Sequence, residues 1–299
     1  MTVSREKVLH DLRAMLGDGN VITEETALKE HDSDNDAYAK AFEIFPAPMP
    51  ICIVNASSSE EISNVLTYCN ENGVSVIPRT GGSSYEGLLT ATTADTIVID
   101  ASAMNKIVSI DPEDMMATCQ CGVPLETLEN LLQEKGLTTG HSPQSLPLAQ
   151  MGGLVATRSI GQFSTYYGGI EDMLTGLEAV LPTGEIVRIR NVPRRAAGPD
   201  LRHLFLGSEG GLAFITEVTV KLFSYYPQGF WKGGYVVPSM HVGLKAIRDI
   251  VAAGYRPSVV RLYDKTDFDW NFGSVELEGS EAFMFFVAEG PPGIPEAIG

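Results

Sequence analysis

The sequence contains no glycine followed by lysine, no Gly-x-Gly-x-x-Gly and no Gly-x-Ser-x-Gly. These gaps remove the phosphate-binding P-loop, the ordinary Rossmann fingerprint and the nucleophile elbow of acyl-transfer hydrolases. Basic residues are scarce: 21 Lys and Arg face 38 Asp and Glu, a formal charge of −17. Nucleic-acid affinity comes mainly from cations that neutralise phosphates, so no nucleic-acid partner is expected, and an anionic membrane surface is disfavoured for the same reason. No apolar run reaches the roughly 18 residues of a spanning helix. Residues 1–16 read as a charged amphipathic helix without the apolar core of a signal peptide. The expectation is a cytoplasmic chain with no integral membrane segment. Only Cys52, Cys69, Cys119 and Cys121 are present, too few and too irregular for a disulfide framework, so they read as reduced, partly buried small hydrophobes. The histidines (His10, His31, His141, His203, His241) are scattered and none forms a helical zinc pair, so no metal site is expected.

What is present is a long chain, 299 residues at 44% hydrophobic, ample for a large core. The acid-rich stretch Glu24 to Asp36 reads as a solvated connection. Ile51 to Val54 is a short apolar strand; Ser57 to Ser59 with Glu60 and Glu61 start a helix that Gly73 closes before a second strand, Val74 to Ile77. Thr96 to Asp100, Ile107 to Ile110 and Met116 to Cys119 read as strands, and Pro124 to Glu134 as a helix stopped by Gly136. Leu174 to Leu181 and Glu185 to Ile189 flank the hairpin signal Pro182-Thr183-Gly184. Asp200 caps a short helix, Phe214 to Phe223 is rich in β formers, and a first unit ends near Tyr226-Pro227. Beyond it strand, helix, strand and strand (Gly234 to Val237, His241 to Ala253, Val259 to Tyr263, Ala282 to Val287) begin a small α+β sandwich that looks cut off partway.

The chemistry gathers in three loops of small residues. Pro78-Arg79-Thr80-Gly81-Gly82-Ser83-Ser84 follows a strand, and without Cβ atoms in the way its N–H groups can converge on an anion, with Arg79 adding a charge-assisted donor. Taken alone it reads first as a plain Gly-rich turn between strands. Gln144-Ser145-Leu146 through Gln150, then Gly152-Gly153 at the mouth of a helix carrying Thr157, Arg158 and Ser159, repeats the arrangement about 60 residues on. Gly207-Ser208-Glu209-Gly210-Gly211 is the third. Two or three anion cradles suit a ligand with a long polar spine.

At these residues the sequence resembles the flavoproteins of the p-cresol methylhydroxylase and vanillyl-alcohol oxidase superfamily. Gly207-Ser208-Glu209-Gly210-Gly211-Leu212 with Thr216-Glu217 is similar to a segment of glycolate oxidase flavin subunits, D-lactate dehydrogenases and alkyldihydroxyacetone-phosphate synthases. Gly153-Leu154-Val155-Ala156-Thr157-Arg158, Tyr167-Gly168-Gly169-Ile170-Glu171-Asp172, Gly198-Pro199-Asp200 and the stretch Ser258 to Asp264 resemble the synthases in particular.

The resemblance implies an α+β fold: an N-terminal helix and linker over 1–45, a two-subdomain FAD-binding domain over 46–226, and an incomplete substrate or cap domain over 227–299. It places FAD contacts at Pro78, Arg79, Thr80, Gly81, Gly82, Ser83, Ser84, Gln144, Ser145, Leu146, Gln150, Gly152, Gly153, Thr157, Arg158, Ser159, Glu209, Gly210 and Ile215. Some members tether FAD through a His and a Cys; Ser83 and Ser142 stand there, so noncovalent FAD is implied. The activity implied is dehydrogenation of a 2-hydroxy acid by hydride transfer to flavin N5, the alternatives being an ether-lipid synthase of the alkyldihydroxyacetone-phosphate type and a catalytically incomplete FAD-binding fragment. Either enzyme needs a cation for a small carboxylate or phosphate substrate. Arg261 is the candidate, an interdomain or surface ion pair being its other reading. A homodimer is compatible with all of this.

Overall fold

The computed structural model describes residues 3–31, 48–194, 196–273 and 282–299. Part of the acidic stretch, the rest of the linker and the first residues assigned to the FAD-binding domain lie outside them. The chain has a mixed α+β architecture. After helix α1 (Arg5–Leu16), strand β1 (Val21–Ile22) and helix α2 (Glu25–His31) come β2 (Ile53–Asn55), helix α3 (Ser59–Asn72), β3 (Ser75–Arg79) and β4 (Thr96–Asp100). These strands form one sheet in the order β1-β2-β4-β3, with β2, β4 and β3 parallel and β1 antiparallel at the edge.

Helix α3 shows why the local sequence folds as it does. The Ser58 side chain caps it by accepting the Glu61 N–H, Glu60 and Glu61 lie at the positive end of its dipole, and Gly73 ends it at φ 66°. Ile62, Val65, Leu66, Tyr68 and Cys69 recur at helical spacing and are buried. Burial of Ile62, Val65 and Leu66 contributes about 1.5–3 kcal/mol each, together several times the ~1 kcal/mol of the cap.

The second sheet is antiparallel, in the order β5-β6-β10-β8-β9, built from β5 (Ile107–Asp111), β6 (Met116–Gln120), β8 (Leu174–Val180), β9 (Ile186–Ile189) and β10 (Phe214–Lys221). Between β6 and β8 run helix α4 (Leu125–Gln133), the short β7 (Leu137–Thr138) and helix α5 (Met151–Ala156); β7 pairs with β11 (Phe223–Ser224). Every residue of β8 is buried. Alternation explains it: Leu177 and Ala179 enter the core of this sheet, while Val180 joins the core shared with the first sheet. A strand with packing on both faces loses the polar alternation of a surface strand.

A third sheet, β12-β14-β13, consists of β12 (Phe230–Val237), β13 (Val259–Asp264) and β14 (Ala282–Glu289), with a helix over residues Met240–Ala252 on one face. Among the described residues, no helix is long and apolar enough to cross a membrane. All four cysteines are free and buried, and burial pushes their thiols up, so they remain neutral.

The structure corrects the acidic stretch. Residues 25–31 form α2, not a solvated connection, because Leu28, only 1% exposed, plugs a core with Ile53, Ile77 and Val98 on the outer face of the first sheet. Two adjacent apolar residues in seven, Ala27 and Leu28, give no periodicity, so the signal is tertiary. Similarly, the helix after Gln150 ends at Ala156, with Thr157 as its C-cap and Arg158 at φ 51°, rather than running on through Ser159.

Candidate functional site: a cavity between the sheets

The first loop leaves the C-terminal end of β3, the second enters α5, and the third leads into β10. They meet. A Cβ built on Gly81 would stand 2.3 Å from the Leu148 carbonyl oxygen, and one on Gly153 would stand 3.0 Å from Thr80 Oγ1. A Cβ on Gly210, whose φ is +81°, would stand 2.1 Å from Pro78 Cγ. Only glycine permits the first and third of these approaches. Backbone bonds complete the seam: the Glu209 N–H donates to the Ala156 carbonyl at 2.9 Å and the Gly207 N–H to that of Val155 at 3.1 Å. Glu209 itself holds φ 55°, an uncommon conformation for a residue with a side chain.

Together the loops wall a cavity of about 670 Å³. Pro78, Arg79, Thr80, Gly81, Gly82, Ser83 and Ser84 line it from the first loop, and Gln144, Ser145, Gln150, Gly152, Gly153, Thr157 and Ser159 from the second. Glu209, Gly210 and Ile215 line it from the third. Two expected residues do not. Leu146 packs against the core of the second sheet, and Arg158, turned by its positive φ, sends Nη2 toward the Leu206 carbonyl at 3.5 Å. Arg261 is also outside the lining: it is half-buried on β13, in register with Phe285 of β14.

Buried polar atoms in the wall await a partner. Arg79 Nη1 and Gln150 Oε1 have none among the described residues. Burial lowers the pKa of Arg79, opposed by Asp100, whose Oδ2 lies 3.9 Å from Arg79 Nε. A buried guanidinium nitrogen without a partner is costly and calls for an anionic or carbonyl group.

Other features were illegible in sequence. Tyr85, Leu148 and Ile160 stand 60–68% exposed at the cavity wall, isolated apolar residues that no periodicity marks. His141 is 2% exposed, its Nε2 is 3.1 Å from Ser159 Oγ, and burial pushes its pKa down to about 4. A smaller cavity of about 180 Å³ lies beside His141, where the Tyr167 hydroxyl donates to Glu289 Oε1 and so joins the second sheet's helices to the third sheet. Burial raises the pKa of Glu289. Among the described residues no three His, Cys, Asp or Glu side chains come together as metal ligands would.

Residues 50–190 match the family described as FAD binding domain. They belong to it. The likeness extends over the whole chain: it is 50% identical over 300 residues to the uncharacterized FAD-linked oxidoreductase YgcU of Escherichia coli K12, covering 100% of this chain and 62% of that protein. It is 36% identical over 222 residues to the mitochondrial D-lactate dehydrogenase [cytochrome] 1 of Saccharomyces cerevisiae, covering 73% of this chain and 37% of the relative. Among solved structures, an alkyldihydroxyacetonephosphate synthase superposes with a TM-score of 0.86 at 26% identity, over 99% of this chain and 58% of that one. A p-cresol methylhydroxylase shares the fold, with a TM-score of 0.76 at 19% identity over 98% of this chain and 62% of that one. The α+β fold of the p-cresol methylhydroxylase type expected from the loop motifs is therefore the fold observed. The chain spans about three-fifths of the length of the FAD-linked oxidoreductase that it matches end to end.

Proposed function

We propose that the cavity holds FAD noncovalently and that the chain is the cofactor-bearing part of an oxidoreductase that dehydrogenates a 2-hydroxy acid. The observation that carries this reading is the convergence of three small-residue loops on one cavity, in which Arg79 Nη1 and Gln150 Oε1 lack partners among the described residues. When bound, the cofactor supplies a hydride acceptor at its N5 position. The chain's own residues bind and orient it. Backbone amides near Gly81, Gly153 and Gly210 face an anionic spine with little Cβ shielding, and Arg79 adds a charge-assisted bond. Ser83 in this cavity and Ser142 at the smaller one beside His141 carry hydroxyls, and neither makes the linkages made by His or Cys. Arg261, on a strand of the third sheet, carries the planar fork suited to a substrate carboxylate. Likeness to D-lactate dehydrogenase supports the 2-hydroxy acid.

A second reading, transfer chemistry on a phosphorylated ketone of the alkyldihydroxyacetone-phosphate kind, is favoured by the extent of the superposition on that synthase. The purified chain is expected to show oxidised-flavin absorbance, and acid precipitation is expected to leave the flavin in the supernatant. Bleaching by D-lactate or another D-2-hydroxy acid supports the dehydrogenase. No bleaching, with turnover of an acylated dihydroxyacetone phosphate, supports the synthase, and bound flavin with neither supports an incomplete FAD-binding fragment. A colourless protein that takes up no FAD overturns the reading.

A further inference from the structure

The outer face of the first sheet carries a charged rung that FAD binding by the loops does not itself explain. In the parallel pair β3 and β4, Ile77 is in register with Val98 and Arg79 with Asp100, so an apolar rung and then a charged rung share one face. Helix α2 repeats that order. Leu28 packs with Ile77 and Val98, and His31, three residues on and so on the same helix face, stands over the charged rung.

The carboxylate there is held from several directions. His31 Nε2 lies 3.5 Å and Arg79 Nε 3.9 Å from the same oxygen, Asp100 Oδ2. Asp100 Oδ1 accepts the Ser102 N–H at 2.7 Å. The ring of His31 is fixed in turn: Nδ1 lies 2.9 Å from the Ala27 carbonyl oxygen, an acceptor only, so Nδ1 carries the hydrogen of that bond, and Nε2 donates to Asp100 only when the ring is the imidazolium. The guanidinium that Asp100 holds from behind sits beneath the first cavity loop: a Cβ on Gly82 would stand 2.5 Å from Arg79 Nη2. Its Nη1 is buried and has no partner among the described residues.

We infer that Asp100 and His31 are positioning residues of the cofactor site, which hold the Arg79 guanidinium so that Nη1 remains available to an anionic group of the cofactor. The inference rests on the reading that the cavity takes FAD. It gives helix α2, which precedes the matched domain at residues 50–190, a part in cofactor binding. His31 touches no cofactor in this arrangement and acts only through Asp100 and Arg79, which sets the test.

The full chain is stripped of flavin and titrated with FAD, with flavin fluorescence as the readout, in unmodified form and as Arg79→Met, His31→Ala, His31→Gln and the double variant His31→Ala/Arg79→Met. Loss of a charge-assisted bond in Arg79→Met is expected to weaken FAD binding about tenfold or more. His31→Ala is expected to weaken it severalfold, and His31→Gln, whose amide still donates, to recover most of that. The double variant is expected to bind no more weakly than Arg79→Met alone, because residues that act through one another are non-additive. Unchanged affinity in His31→Ala, or losses that multiply in the double variant, overturns the positioning role and leaves the FAD reading intact. Absence of FAD binding by the unmodified chain overturns both. Circular dichroism of the apo forms checks folding, and Asp100→Asn replaces His31→Ala in the cycle should that variant not fold.

Discussion

Ser59 Oγ donates a 2.5 Å hydrogen bond to Glu178 Oε1 across 119 positions of sequence, tying helix α3 of the first sheet to strand β8 of the second. The same oxygen accepts from Thr216 Oγ1 at 2.8 Å, and Arg188 pairs with the other. Glu178 is 4% exposed whereas the Arg188 side chain is 72% exposed, so the ion pair is screened and the two hydroxyl bonds dominate. Glu178→Ala strands both hydroxyls and is expected to cost about 2–3 kcal/mol, and Arg188→Ala less than about 1. Urea unfolding midpoints at constant slope measure both.

Gly81 is the tightest point between the first two loops. Gly81→Ala drives a methyl to 2.3 Å from the Leu148 carbonyl, and the backbone must move. A loop displacement of this kind is expected to cost about 1–3 kcal/mol and to lower FAD affinity at least tenfold. The flavin-to-protein absorbance ratio after purification reads the outcome. Gly19→Ala, at a glycine without a positive φ and with no neighbour within 4 Å of its built Cβ, is the control, expected to keep its flavin.

His141 supplies a pH dependence. Burial lowers its pKa from 6.5 to about 4, so the neutral ring is the form the fold favours. The associated stability is complete above about pH 6.5 and is lost as the pH falls toward 4. Its full extent is about 3 kcal/mol. Glu217 and Glu289, raised by burial, act in the opposite sense, so the measurement is a difference. The loss in urea midpoint between pH 7 and pH 4.5 is expected to be smaller in His141→Gln than in the unmodified chain.

Tyr167→Phe removes the donor that Glu289 meets at the boundary of the third sheet. With Glu289 9% exposed, the unmet carboxyl is expected to cost about 1–3 kcal/mol. Faster tryptic cleavage near Lys232, against an unchanged rate for Tyr166→Phe, checks it.

Much of the architecture was legible because local rules and packing agree. Ser58, Glu60, Glu61 and Gly73 bracket α3 as capping rules require, and Pro182-Thr183-Gly184 joins β8 to β9. The cavity loops were legible for the same reason: small residues mark where main chain must approach something closely. Helix α2 was not, since Leu28 and His31 gain their roles only from residues 53–100. Leu146 lies within a cradle sequence yet faces the core, because composition fixes where a loop bends and not which side chain points inward. Trp231 to Gly233 went unread as strand because Lys232 and two glycines hide an edge strand that pairs with β14 throughout.

Since the cavity's first wall hangs from the first sheet and the other two from the core of the second, a molecule lodged against all of them acts as a rivet. Any opening of the seam must first expel it, and at a hundredfold excess over its dissociation constant it adds about 2.7 kcal/mol to the native state. Protein that carries the ligand is then the more durable species, and the amount of chain that survives would track the supply of that ligand as well as the rate of synthesis.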